Sequence, residues 1–306
     1  MVTIPRLIHT AQALVDDVID VPALPRRGAN AVATARHQQA GGAVTVLLAA
    51  TRSGATCVHT GSVGRGPAGD LIRATLQADK VTVCSPVVED IDTGVCFVLV
   101  EPSAERTFVT VQGAERHISV ESLATSKPQP GDYVAISGYT LQGPTATPLL
   151  DWLATLAPGV QVVLDPGSAF AELDDATRAA ALAYTTIWTS NADEAKAMTG
   201  SADMTVAAEA LLAHLPAGAL TIVRDGPAGC AVSGWCETTA VPGFPQTPYD
   251  TNGAGDTHTG VMLAELLSGA APVTAARRAN AAGALKVTRP GTIPTAKQID
   301  AFLVRT

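Results

Sequence analysis

Asp250-Thr251-Asn252-Gly253-Ala254-Gly255-Asp256-Thr257 runs straight into a helix-like stretch, His258 to Leu267. Its small residues leave the backbone N–H groups of Ala254, Gly255 and Asp256 bare where a helix begins. The first amides of a helix lack intrahelical partners and sit at the positive end of its dipole, so such a start is an anion site. Asp256 adds a carboxylate in the same turn. That pairing suits phosphoryl transfer: amides hold the group in transit, and the acid takes or orients the attacking hydroxyl's proton. Taken alone, the turn is equally an ordinary helix start whose first-turn Asp complements the dipole.

Composition narrows the choice. With 306 residues, 47% hydrophobic and only 16% charged, the chain can build a sizeable core. Aromatics are only 4%, so that core must rest mainly on Ala, Val and Leu. A net charge of −8 argues against nucleic acid or an anionic membrane as partner. A phosphate site here must therefore rely on local amides and a metal. The five cysteines, Cys57, Cys84, Cys96, Cys230 and Cys236, show no CxxC spacing, which fits thiols in a reducing compartment. No apolar run approaches the roughly 18 residues of a membrane span. Asp16, Asp17 and Asp20 arrive where a signal peptide would be apolar, so a cytoplasmic location is expected.

Strand-length apolar runs alternate with Ala-rich helical stretches. Gln161–Leu164, Thr185–Ser190 and Ala219–Val223 read as strands, with a helix from Ala192 and a turn through Asp225-Gly226-Pro227-Ala228-Gly229 into Cys230–Ser233. This alternation predicts a mostly parallel sheet covered by helices, with ligands at the C-terminal strand ends where Asp165, Asn191 and Arg224 fall. Val95–Val100 and Thr107–Val111, around a polar Glu101–Glu105 turn, predict a hairpin, either an edge decoration or a lid.

The octapeptide resembles the second signature of the ribokinase-like (PfkB) family of sugar and nucleoside kinases, and other segments resemble that family in its order. The resemblance implies an α/β fold: a ribokinase-like three-layer sandwich with a mostly parallel central sheet and a small β lid. It implies one kinase domain over residues 1–306, with lid segments at about 17–38 and 92–113. Asp16, ahead of Leu24-Pro25 and Arg27-Gly28, matches the substrate-binding acid, which leaves Asp17 and Asp20 as solvated strand-end residues. Gly41-Gly42 is similar to the glycine pair that lines the sugar pocket. The Asn expected soon after it is missing; Thr45 and Val46 stand there. Ser62-Val63-Gly64 with Gly69-Asp70, and Ile136-Ser137-Gly138-Tyr139, resemble further family segments, the second a sheet strand. The Glu105–Phe108 hairpin resembles the lid.

Asn191-Ala192-Asp193-Glu194 resembles the motif that serves the nucleotide phosphates, with Glu194 placing Mg²⁺ through water; it also reads as a helix cap. Arg224, Gly226 and Gly229 match the nucleotide loop, where Arg224 reaches a phosphate or pairs with Asp225. Asn280 falls in the adenine-packing segment. Asp250, Asn252 and Gly291 correspond to ligands of a monovalent cation, K⁺. His258 stands where the family commonly has Phe. It reads as a packed or solvated side chain, with influence on substrate choice open because it lies so near Asp256.

The resemblance thus implies ATP-dependent phosphorylation of a primary hydroxyl on a sugar, with ATP and Mg²⁺ as cofactors. Asp256 is the base, weakened by the helix end; the amides of Ala254, Gly255 and Asp256 supply the anion hole, with Gly253 in the same catalytic turn. A nucleoside acceptor and a non-catalytic nucleotide- or sugar-binding protein are the alternatives. A dinucleotide oxidoreductase is disfavoured, because no GxGxxG joins an early strand to a helix. Relatives commonly dimerise through the lid, so a homodimer is expected.

Overall fold

The apolar runs are short, rich in Val, Ile and Leu, and bounded by Gly, Pro and Asp, as strands buried on both faces should be. In the computed structural model, which describes residues 4–103, 105–289 and 291–306, they build a nine-stranded sheet. Its order is Thr239–Pro242, Gly229–Ser233, Leu220–Arg224, Ile187–Asn191, Gln161–Asp165, Tyr133–Ser137, Arg6–His9, Thr56–His59 and Thr82–Val83. Neighbours pair in parallel except around Gly229–Ser233, which is antiparallel to both of its partners.

Successive strand residues feed two cores. Leu7, Ala135, Val163 and Ile222 pack on one face, under helices Ala43–Arg52, Ala254–Leu267 and Pro272–Val287. Ile8, Val134, Leu164 and Val223 pack on the other, under Ala146–Leu153 and Met204–Leu211. The result is helix, sheet, helix in three layers. No helix among the described residues is long and apolar enough to cross a membrane.

The sequence-predicted strands are present with ends shifted by a residue or two, as Gln161–Asp165, Ile187–Asn191 and Leu220–Arg224. Ile136–Tyr139 is a correction: the strand ends at Ser137, and Gly138–Leu141 is a 3₁₀ turn. The Ser137 hydroxyl accepts the Tyr139 N–H and turns the chain there.

Strand order reverses between Arg6–His9 and Tyr133–Ser137. Connections diverge from such a point and leave a crevice beyond the C-terminal strand ends. Directly after His9 the chain enters a second, four-stranded sheet, ordered Ala35–Gly42, Ala13–Asp20, Val95–Val100, Arg106–Val111. The predicted hairpin forms its last two strands, with Val95 opposite Val111 and Val100 opposite Arg106. Val18, Cys96 and Val98 make a small core of its own. On the edge strand, Phe108, Val109 and Val111 are exposed.

Asp17 is a further correction. It is buried, not solvated, and the Arg36 guanidinium clamps it at 2.6 and 2.8 Å while Gln38 Nε2 adds a bond at 3.1 Å. Strand register brings these partners over it, with Gln38 directly opposite.

Helices Ala43–Arg52 and Ala254–Leu267 meet at Gly260. A Cβ there would strike the Val46 carbonyl and lie 2.7 Å from the Ala49 methyl. Replacing a helical Gly by Ala ordinarily gains up to about 1 kcal/mol. Here the obstacle is backbone, and overpacking of this kind costs about 1–3 kcal/mol. Gly260→Ala should therefore lower the melting temperature by several degrees, as measured by circular dichroism. An unchanged or raised value would show that the two helices are not so closely seated.

Candidate active site

Two cavities, of about 600 and 540 Å³, adjoin at the C-terminal strand ends. Asp256, Asp165 and Tyr139 line both of them. The junction is built on the start of helix Ala254–Leu267. Gly253 precedes it in the left-handed region, at φ 69°, where only glycine sits without strain. This conformation starts the helix at Ala254 rather than His258. It also brings the Thr251 carbonyl beneath Ala254, whose N–H donates to it at 3.3 Å. Among the described residues the Gly255 and Asp256 N–H groups have no acceptor. Of the three amides expected to be bare, those of Gly255 and Asp256 are.

Arg224 fixes the turn from below. Its Nη1 donates to the Gly255 carbonyl at 2.9 Å and to the Thr259 hydroxyl at 2.6 Å. Its Nε donates to the Ser190 carbonyl at 3.1 Å, and Nη2 to Asp165 at 3.2 Å. Arg224 lines the larger cavity, but its partner is Asp165, not Asp225.

The environment of Asp256 reverses the expectation of a weak base. Its pKa is raised to about 7. Removal from water is the main cause, reinforced by the charge of Asp165 and then by Asp16 and Glu194; Arg224 opposes them. The carboxylate is only half-buried as surface, yet it lies deep between cavity walls.

In the larger cavity, Asn191 and Glu194 form a reciprocal capping box: Asn191 Oδ1 accepts the Glu194 N–H at 2.8 Å and Glu194 Oε2 accepts the Asn191 N–H at 2.9 Å. Burial and the nearby Asp165 charge raise the Glu194 pKa. Gly226 and Gly229 bound a 3₁₀ turn on the cavity wall. Asn280 is buried there, with Nδ2 donating to the carbonyls of Val241 at 3.0 Å and Pro242 at 3.1 Å. Its Oδ1 meets His258 Nε2 at 3.1 Å. Because that oxygen can only accept, the network assigns the His258 proton to Nε2. Burial keeps this imidazole neutral, with its pKa lowered to about 3. His258 thus belongs to the larger cavity with Asn280 and is absent from the lining of the smaller one.

The smaller cavity lies under the second sheet and is lined by Gln12, Gly42, Phe108, Thr110 and Arg116, among others. Gly42 precedes helix Ala43–Arg52. Gly41 stands just behind, and a Cβ there would collide with the Asp16 carboxylate, so only a glycine permits this approach. Asp16 does not itself line the cavity. Its carboxyl faces the Asn252 and Gln39 amides, and burial raises its pKa. Of the two residues at the place of the missing Asn, Val46 lines the smaller cavity, while Thr45 packs on the turn, its Cγ2 3.2 Å from where a Gly253 Cβ would be.

Sequence reading missed three charged residues. Asp165 was visible as a strand end but not as a site residue. Arg116 donates to the Tyr139 carbonyl at 3.0 Å and to the Gln142 carbonyl, and nothing in its sequence neighbourhood signals a cavity. Lys286 is a buried lysine in an Ala-rich helix, with Nζ 3.7 Å from Asp250 Oδ2.

The residues present fit a divalent cation better than a monovalent one. Among the described residues no cluster of three or more His, Cys, Asp or Glu could hold a resident metal. Glu194 nonetheless keeps Oε1 free of the capping box, and Asp165, Glu194 and Asp256 crowd negative charge around one arginine. A hydrated divalent ion arriving with a nucleotide would relieve that crowding. Asp250 is already held by two protein cations, Arg106 at 2.7 Å and Lys286 at 3.7 Å. Asn252 turns its side chain to Asp16, and Gly291 lies near Gln39. Asp250, the carboxylate among the expected K⁺ ligands, thus already faces two protein cations.

Comparison with known proteins agrees with this geometry. The model of the pfkB family carbohydrate kinases matches residues 10–299. An uncharacterised sugar kinase, YegV, of Escherichia coli K12 is 29% identical over 84% of this chain and 80% of its own. The ribokinase of Haemophilus influenzae is 29% identical over 94% of this chain and 95% of its own. Among solved structures, a ribokinase from Giardia lamblia superposes with a TM-score of 0.85 at 20% identity, over 99% of both chains. A fructokinase from Vibrio cholerae O395, bound to fructose, ADP and calcium, superposes with a TM-score of 0.79 at 22% identity, over 98% of this chain and 99% of that one. These neighbours share the ribokinase-like fold, and the family match over nearly the whole chain decides the wider question: this chain belongs to the pfkB family of carbohydrate kinases.

Proposed function

We propose that this chain transfers the γ-phosphoryl group of ATP to a primary hydroxyl of a sugar. The observation that carries the reading is the shared junction: the Asp256 carboxylate and two bare amides lie where two cavities meet, with Asp165 beside them held by Arg224. The larger cavity suits the nucleotide, between Gly226–Gly229 and Asn280. The smaller suits the acceptor, between Gly42 and the second sheet acting as lid of a single kinase domain. Asp16 reaches it only through the wall formed with Gly41 and Asn252.

The acceptor oxygen attacks phosphorus in line. The new O–P bond forms as the bond to the β,γ-bridging oxygen breaks; the hydroxyl proton passes to Asp256, and ADP leaves. The Gly255 and Asp256 amides stabilise charge on the phosphoryl oxygens. Mg²⁺, held through water by Glu194, would supply charge neutralisation on the phosphates. A base with its pKa raised to about 7 is matched to neutral pH. A nucleoside acceptor remains the second reading, favoured by Thr45 and Val46 standing where a sugar-contacting Asn is expected. The exposed edge strand Arg106–Val111 offers the surface for a homodimer.

Three measurements test this. A panel of sugars and nucleosides assayed for ADP release should give turnover with a sugar; a nucleoside-only response selects the second reading, and silence on every acceptor with retained ATP binding selects a binding protein.

Asp256→Asn should lower kcat by about 10²–10⁴, the usual worth of a general base. The same variant should melt higher than the wild type at pH 8. The folded pKa of Asp256 lies above its unfolded value, so its stabilising contribution is complete below about 4 and is lost as pH rises through about 7. The gap in melting temperature should close as pH falls toward 4. Near-normal turnover in this variant would refute the role of the base.

Finally, kcat/KM should fall about tenfold per pH unit below about 7. Asp165→Asn removes a neighbouring negative charge and should move that limb to lower pH. A limb that stays in place would assign it to another group.

A further inference from the structure

Asp250 opens the octapeptide, and both oxygens of its carboxylate face protein groups. Oδ1 accepts Arg106 Nη2 at 2.7 Å and the Asn252 N–H at 2.8 Å. Oδ2 faces Lys286 Nζ at 3.7 Å. Arg106 reaches across from the second sheet and also donates to the Thr251 hydroxyl at 3.2 Å. The Lys286 side chain is 6% exposed and comes from the last turn of helix Pro272–Val287. It runs beneath the anion-holding turn: its Cε lies 3.7 Å from where a Gly253 Cβ would be.

A neighbouring backbone oxygen is engaged as well. The Val287 carbonyl accepts the N–H groups of both Tyr249 and Asp250, at 2.7 and 3.1 Å. A dissociable cation placed here would give up water for oxygens that already have partners, and would sit beside a fixed ammonium and a fixed guanidinium. Like charges at such range repel, the more so away from water.

We infer that the Lys286 ammonium is a tethered replacement for a monovalent cation at Asp250: it neutralises that carboxylate, holds the Gly253–Asp256 turn in place, and makes the protein independent of K⁺. Lys286 is a positioning residue; it touches the turn, not the reacting atoms. A lysine delivers the charge at an effective concentration no dissolved salt provides, and its position cannot vary with the ionic composition of the surroundings.

The test compares wild type and Lys286→Met in potassium chloride and in tetramethylammonium chloride of equal ionic strength, because the larger ion cannot enter the site. Three readouts are taken: melting temperature, binding of Tl⁺ as a K⁺ surrogate by thallium NMR, and turnover. The wild type should melt at the same temperature in both salts and bind no Tl⁺. Lys286→Met should melt lower in tetramethylammonium, recover in K⁺, and bind Tl⁺ beside the vacated Asp250. Its kcat in tetramethylammonium should drop roughly 100-fold, the scale expected when a catalytic turn shifts by about 1 Å, and K⁺ should restore much of it.

Site-bound Tl⁺ in the wild type, or a wild-type melting temperature raised by K⁺, overturns the inference. So does a Lys286→Met protein that is as stable and as active as wild type in tetramethylammonium. If the methionine variant fails to fold in either salt, Lys286→Gln keeps a polar tip without the charge and is measured in the same way. The turnover arm rests on the kinase reading, whereas the melting and thallium arms need no substrate. Failure of one is therefore distinguishable from failure of the other.

Discussion

Arg224 spends four hydrogen bonds on three separate parts of the chain, and the position of the reactive turn depends on them. Ser190 and Asp165 belong to neighbouring strands of the parallel sheet, whereas Gly255 and Thr259 belong to the helix laid across its end. A helix tip with bare amides has no means of orienting itself, since the groups that define it are the ones lacking partners. The planar guanidinium fork supplies the orientation, with its directions set by covalent geometry. A lysine would bring the charge and lose the fixed angles. The same fork takes no part in neutralising Asp225, which the sequence places beside it, because the strand directs the Arg224 side chain toward Asp165 instead.

Charge at this junction is managed locally in a chain that carries a net −8. Asp165, Glu194, Asp256 and Asp16 are close enough for each of the others to raise the pKa of Asp256. The helix end acts the other way, but a helix dipole is worth about 0.3–1 kcal/mol at a terminus, less than one pKa unit. Burial and neighbouring carboxylates therefore outweigh the helix end, and the Asp256 pKa is raised to about 7. The anion beside it must be held without a positive field. Backbone amides can do this because they carry partial charge without adding a titrating group.

The fold and the helix tip were legible because local rules decide them. Alternating buried runs, Gly253 in its turn and the Asn191–Glu194 cap depend on residues a few positions apart. What escaped reading depends on register and packing. Asp17 looks solvated in a run of acids until strand pairing sets Gln38 opposite it and Arg36 over it, 19 residues away along the chain. His258 is two residues from Asp256, yet the helical turn sends it into the larger cavity alone, where Asn280 meets it. The third bare amide was lost to Thr251, since nothing in the octapeptide reveals that its carbonyl curls back under Ala254. Lys286 gave no sign at all, because a lysine in an Ala-rich helix reads as a solvated face.

The octapeptide is where the separate layers touch. Arg106 comes to it from the second sheet, Lys286 from the long C-terminal helix, and Thr45 from the helix after Gly42, while Asn252 faces Asp16 on the second sheet again. Through Arg106 the second sheet is tied to Asp250 and Thr251, the residues that lead into the turn carrying the bare amides of Gly255 and Asp256. Short side chains make the stretch recognisable in isolation, and longer ones from elsewhere determine what it can do.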